Sequence, residues 1–85
     1  MADVEIYTTP TCPFCLAAKR LLDSKGVAFR EIDVSKDPAD REAMMQRANG
    51  KRSVPQIFIG DRHVGGSDDL HELDRNGKLD PLLAA

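Results

Sequence analysis

Val4-Glu5-Ile6-Tyr7-Thr8-Thr9-Pro10-Thr11-Cys12-Pro13-Phe14-Cys15 passes from a strand pattern to a helix pattern across a pair of thiols. Val4, Ile6 and Tyr7 give an apolar extended start, so a strand is expected over Val4 to Thr8. Pro13 suits the first position of a helix, where no intrahelical N–H is lost. At a helix N-terminus the backbone N–H groups have no partners inside the helix, and the macrodipole presents partial positive charge. A Cys12 placed there is stabilised as thiolate, the nucleophilic form. The motif therefore predicts a reactive thiol.

From Phe14 the apolar positions Ala17, Ala18 and Leu21 follow the i, i+3, i+4, i+7 pattern of a helix face, and Gly26 supplies a stop. Val27 to Val34, with Phe29 and Ile32, reads as a second strand, completing a right-handed parallel βαβ unit. Asp37 is the expected N-cap of a second helix, with Pro38 at its first position, Met44, Met45 and Ala48 as core filling, and Gly50 as its end. Gln56-Ile57-Phe58-Ile59 and Arg62-His63-Val64 form a hairpin about Gly60-Asp61. Ser67 is expected to cap a last helix running to about Arg75, with Asp68 and Asp69 complementing its positive end and Leu70 and Leu73 inward. Leu79, Leu82 and Leu83 make a final helical turn, and His63 and His71 are expected at the surface. The order βαβ-α-ββ-α predicts an α/β fold: a four-stranded mixed sheet flanked by helices on both faces.

The 85 residues are enough for one domain and too few for two. A net charge of −2, with both signs mixed along the chain, gives no basic stripe for nucleic acid and no polybasic segment for a membrane surface. The opening Ala2-Asp3-Val4-Glu5 lacks the positive region and apolar core of a leader, and no apolar run is long enough to span a bilayer, so a cytoplasmic address is the expectation. Thiols there are kept reduced, and a Cys pair is more often catalytic or metal-binding than a staple. A bridge across two intervening residues would close too short a loop to stabilise the chain. Structural zinc wants four Cys or His ligands, and the two histidines are expected on elements away from the Cys pair, so no metal is expected.

Cys12-Pro13-Phe14-Cys15, Ser53-Val54-Pro55 and Gly65-Gly66-Ser67-Asp68-Asp69 together resemble the C-P-Y-C, T-V-P and G-G-x-[SD]-[DE] motifs of the glutaredoxins, and the resemblance runs nearly end to end. It implies a thioredoxin fold, a single glutaredoxin domain over residues 1–85, and glutathione-dependent thiol–disulfide exchange. Cys12 is the expected nucleophile and Cys15 the resolving thiol. By the same resemblance, Phe14, Ser53, Val54, Pro55, Gly66, Ser67 and Asp68 bind glutathione, the co-substrate. Val54-Pro55 is expected cis, presenting the Val54 backbone to an extended peptide as a strand would; without the Cys motif it reads as a trans proline opening a strand. The γ-glutamyl carboxylate is expected at the helix start of Ser67-Asp68, with Asp68 accepting from the ammonium.

Two departures stand out. The family usually has Tyr where this chain has Phe14, and very often Lys where it has Thr9, which predicts a weaker hold on both the thiolate and glutathione. Arg52 or Lys51 would supply part of the missing charge. The expected partners are glutathione and oxidised or glutathionylated proteins, ribonucleotide reductase being one candidate, with glutathione reductase and NADPH behind them and a monomer as the working form. Two other readings remain open: an electron donor served by a thioredoxin-type reductase, and a carrier of a glutathione-ligated iron–sulfur cluster.

Overall fold

Alternation along the first strand sends Val4 and Ile6 to one side and Tyr7 to the other, and both sides are buried. That requires covering layers on two faces. The computed structural model describes residues 2–85 and supplies them. Its elements are β1 (Val4–Thr8), α1 (Pro13–Ser24), β2 (Arg30–Asp33), α2 (Pro38–Arg47), β3 (Gln56–Ile59), β4 (Arg62–Gly65), α3 (Ser67–Arg75) and α4 (Leu79–Ala84). The sheet order is β2-β1-β3-β4. β1 pairs parallel with β2, Tyr7 opposite Ile32, and antiparallel with β3, Ile6 opposite Ile57; β3 and β4 close the antiparallel hairpin with a bulge at Ile57/Phe58. The mixed four-stranded sheet anticipated from the chain order is present.

One core joins Val4, Ile6, Ile57 and Ile59 of the sheet to Ala18 and Leu22 of α1, Leu70 of α3, and Leu79 and Leu83 of α4. The other joins Tyr7 and Phe58 to Val34 and to Met44 and Ala48 at the end of α2. The second core is smaller, and polar contacts supplement it. The Arg47 guanidinium donates to the Tyr7 hydroxyl (2.9 Å), pairs with Glu5 (3.1 Å) and lies 4.0 Å over the Phe58 ring. Arg30 also holds Glu5; its hydrogen bond, followed by that of Arg47, keeps the Glu5 carboxyl below the usual carboxylate range despite partial burial.

Four expectations are corrected. β2 spans only Arg30–Asp33, because β1 offers it partners from Glu5 to Thr8 alone; Val27 and Phe29 still pack inward but outside the ladder. The buried stripe of α1 is Cys15, Ala18 and Leu22, so the inward face turns one residue on from Ala17 and Leu21, which are only half-buried. Gly66, not Ser67, is the N-cap of α3, and the Asp69 side chain reaches back to accept from the Gly66 N–H at 3.0 Å. His63 is half-buried rather than fully exposed: it stacks on Phe58 with centroids 4.9 Å apart, and burial holds it below the usual imidazole range. His71 is likewise half-buried, its Nδ1 2.8 Å from the Ser67 carbonyl oxygen.

Candidate functional site

Cys12 is the N-cap of α1, in extended conformation (φ −101°, ψ 108°). Its sulfur takes the place a Ser or Asp oxygen occupies at an ordinary cap, accepting from the Cys15 N–H at 3.0 Å. Pro13 at the next position costs no hydrogen bond. Cys12 is partly exposed and Cys15 is 1% exposed, a difference that follows from the one-turn offset into the helix. Burial, followed by hydrogen bonding to Cys12, pushes the Cys15 thiol up to about 12, with a Thr9 backbone group pulling the other way. Both cysteines are free. The arrangement is one accessible sulfur backed by a helix N-terminus and one buried thiol held in protonated form.

Beside it, Val54-Pro55 is cis, as expected. The Val54 carbonyl oxygen lies 3.8 Å from Cys12 Sγ, a contact across forty-two positions of sequence. A shallow groove of about 230 Å³ runs from Phe14 past Val54, Pro55 and Lys51 to Gly66 and Asp68. Ser53 and Ser67 also line it, so the structure gathers all seven residues assigned to glutathione on one surface. A larger hollow of about 780 Å³ at the far end of β1 is lined by Ala2, Asp3, Phe29 and Arg30 among others. The smaller groove is the one beside the thiols, walled by Phe14, next to Cys15, and by Val54, whose carbonyl oxygen meets Cys12.

At the far end of that groove α3 begins without a side-chain cap, so its first-turn N–H groups have no partner within the helix. Asp69 Oδ2 accepts from the Gly66 N–H, whereas Asp68 is exposed and makes no hydrogen bond among the described residues. Gly65 is obligatory here: its φ is +115°, and a Cβ would stand 2.3 Å from the Asp69 carboxylate. At Gly66 a Cβ would meet only the Pro55 carbonyl oxygen at 3.6 Å, an ordinary contact, so its own fold leaves that position open.

Of the two cations proposed to replace the missing lysine, Lys51 lines the groove; Arg52 instead offers its carbonyl to Arg41 at 2.9 Å. Thr9 is half-buried beside the motif. Gln56 was missed: its side chain is 1% exposed and bonds to the loop before the cis proline. The available signal was a polar residue at the head of an otherwise apolar strand. Among the described residues no group of three or more His, Cys, Asp or Glu side chains is placed to hold a metal ion, and no helix is long and apolar enough to cross a membrane.

The arrangement has close counterparts. The family model for glutaredoxin matches residues 4–64. A probable glutaredoxin of Synechocystis is 61% identical over 82 residues, covering 96% of this chain and 93% of its own. The solution structure of a Brucella melitensis glutaredoxin superposes with a TM-score of 0.85 at 55% identity, covering 98% of this chain and 89% of that one. The crystal structure of a buckwheat glutaredoxin–glutathione complex superposes at 0.88 with 32% identity, covering 98% and 77%. A thioredoxin fold, a C-x-x-C at a helix start and relatives of this likeness along nearly the whole chain lead to one conclusion: this protein belongs to the glutaredoxin family and is a thiol–disulfide oxidoreductase.

Proposed function

We propose that the protein reduces protein disulfides and glutathione mixed disulfides with glutathione as co-substrate, Cys12 attacking and Cys15 resolving. The observation that carries this reading is the asymmetry of the pair: Cys12 Sγ is accessible and held by the Cys15 N–H at 3.0 Å, while Cys15 is sealed and protonated. The Cys12 thiolate attacks one sulfur of the substrate disulfide, the substrate S–S bond breaks, and the departing thiolate takes a proton from solvent. The new mixed disulfide is released in one of two ways. Cys15, on losing its proton, attacks Cys12 Sγ, breaks the mixed disulfide and expels the bound partner as thiolate, leaving a Cys12–Cys15 bridge; or a glutathione thiolate attacks the partner's sulfur in the mixed disulfide and expels Cys12 as thiolate. Two glutathiones reduce the bridge and leave as glutathione disulfide, which glutathione reductase returns to thiol with NADPH.

Glutathione fits the groove by its chemistry. The Val54 backbone beside Cys12 supports strand-like pairing with the cysteinyl unit. The uncapped start of α3 suits a carboxylate, Asp68 suits the γ-glutamyl ammonium, and Lys51 suits the glycyl carboxylate. Phe14, Ser53, Pro55, Gly66 and Ser67 shape the walls between. The structurally similar buckwheat protein was crystallised with glutathione. In this reading residues 1–85 act as one monomeric domain in a reducing compartment such as the cytoplasm, on oxidised or glutathionylated proteins of which ribonucleotide reductase is a candidate.

The test is a coupled assay of small-disulfide reduction with glutathione, glutathione reductase and NADPH, run beside thioredoxin reductase. Turnover with glutathione is expected. Turnover only with thioredoxin reductase overturns the reading.

A further inference from the structure

We propose that Gln56 and His63 are positioning residues for this exchange, forming a part-buried clamp that fixes the Ser53–Val54 backbone against Cys12. Gln56 is the first residue of β3, immediately after the cis proline, and only 1% of it is exposed. Its amide must satisfy both ends indoors. The Ser53 carbonyl oxygen, 3.0 Å away, can only accept, so it faces Gln56 Nε2, which also lies 3.3 Å from Ser53 Oγ. That fixes Oε1 toward His63 Nε2 at 2.7 Å, and His63 must then carry its proton on Nε2. The Phe58 ring, stacked under His63, holds the imidazole in plane for this bond.

A chain of hydrogen bonds therefore runs from β4 through Gln56 to Ser53, whose neighbour Val54 presents its carbonyl to Cys12 Sγ. Ser53 itself is exposed on a stretch with no ladder partner; its neighbours are held by the Arg41–Arg52 hydrogen bond on one side and by the packing of Val54 on the other, and the Gln56 amide is what holds Ser53 directly. Without the clamp the edge that a disulfide substrate pairs with is free to swing, and substrate binding weakens while the sulfur itself is untouched. A pure packing role for His63 predicts something different, since any flat ring would serve.

The experiment compares His63→Phe, which keeps the ring and removes the donor, with His63→Gln, which keeps a donor and removes the ring. The clamp rests on the glutathione reading only for its kinetic arm. His63→Phe should raise the KM for a glutathione mixed disulfide about 3- to 10-fold, the equivalent of one hydrogen bond, with kcat changed less than about twofold. His63→Gln should return KM to within about twofold of wild type. Gln56→Met should match His63→Phe, and the double variant should be no worse than either single one. Without any ligand, nitrogen-15 relaxation of the Ser53 and Val54 amides should show added motion in His63→Phe and Gln56→Met but not in His63→Gln. If wild type ignores glutathione yet the relaxation pattern holds, the clamp stands and the co-substrate reading falls. If the two amides are equally rigid in all variants, or His63→Phe behaves as wild type, the clamp is wrong.

Discussion

The starts of α1 and α3 open onto the same groove and are built in opposite ways. α1 is capped by a sulfur that satisfies one of its own N–H groups; α3 is capped by a glycine that satisfies none. α1 spends its dipole on a residue of the chain, and α3 has no side-chain partner for its first-turn N–H groups. The contrast extends to what each start can lose. At α1 the chemistry is irreplaceable and the structural role is not, since a serine caps a helix at least as well as a cysteine. At α3 the backbone geometry is irreplaceable, because Gly65 at φ +115° packs against the carboxylate that holds Gly66.

The sharpest way to break the comparison is Cys12→Ser. Exchange should vanish, by about a thousandfold or more, while the denaturation midpoint stays or rises. A variant that loses stability along with activity would mean the sulfur is structural. Cys15→Ser comes next. It should lose turnover on protein disulfides that need a second thiol, keep reduction of glutathione mixed disulfides, and accumulate a Cys12–glutathione adduct by mass spectrometry; an adduct on Cys15 in the converse variant would reverse the roles. Gly65→Ala attacks the other helix start and should cost about 1–3 kcal/mol in urea unfolding and, by pushing the Asp69 carboxylate off Gly66, raise the KM for glutathione in the folded fraction.

A fourth measurement uses pH. The buried Cys15 thiol is raised from the ordinary thiol range to about 12, so the folded form favours the proton. Its contribution is intact below the unfolded value of about 8.5 and is lost as pH rises toward the folded one. Between pH 7 and 10.5 the wild type should therefore lose more stability than Cys15→Ala does; equal losses would show that the thiol titrates as if exposed. The smallest effect is Asp68→Ala, expected to raise the KM for glutathione about 3- to 10-fold with the Cys12 alkylation rate unchanged. No change in KM would move the γ-glutamyl end away from α3.

Much of this was legible in the chain because the signals were local. Val4 to Thr8, the C-P-F-C turn into α1, Asp37-Pro38 at the start of α2 and the Gly60-Asp61 hairpin each carry their own propensity, and each element formed where the residues place it. The failures share a cause, which is that partners distant in sequence set the outcome. β2 is trimmed by the length of β1, a strand more than twenty residues earlier. The stripe of α1 is set by which residue the core covers, and that is Leu22 instead of Leu21. His63 reads as a hairpin surface residue until Phe58 and Gln56 are seen on the same side of the sheet. For the site, the cysteines and both glycines were found by motif. The sequence offered Lys51 or Arg52 and the fold put Lys51 in the groove lining; Gln56 was placed there by the fold alone.

The two sides of the sheet are not equally fastened. α1, α3 and α4 brace one another over a shared hydrocarbon core, whereas α2 hangs on Met44, Ala48 and the grip of Arg47 on Glu5 and Tyr7. The segment after α2 carries Lys51, and the Arg41 guanidinium of α2 ties down the Arg52 carbonyl beside it. A partial loosening that peels off α2 alone would thus dismantle one bank of the groove while Cys12 remained seated on α1. Mild urea or raised salt should erode discrimination between thiol donors before it erodes the reactivity of the sulfur.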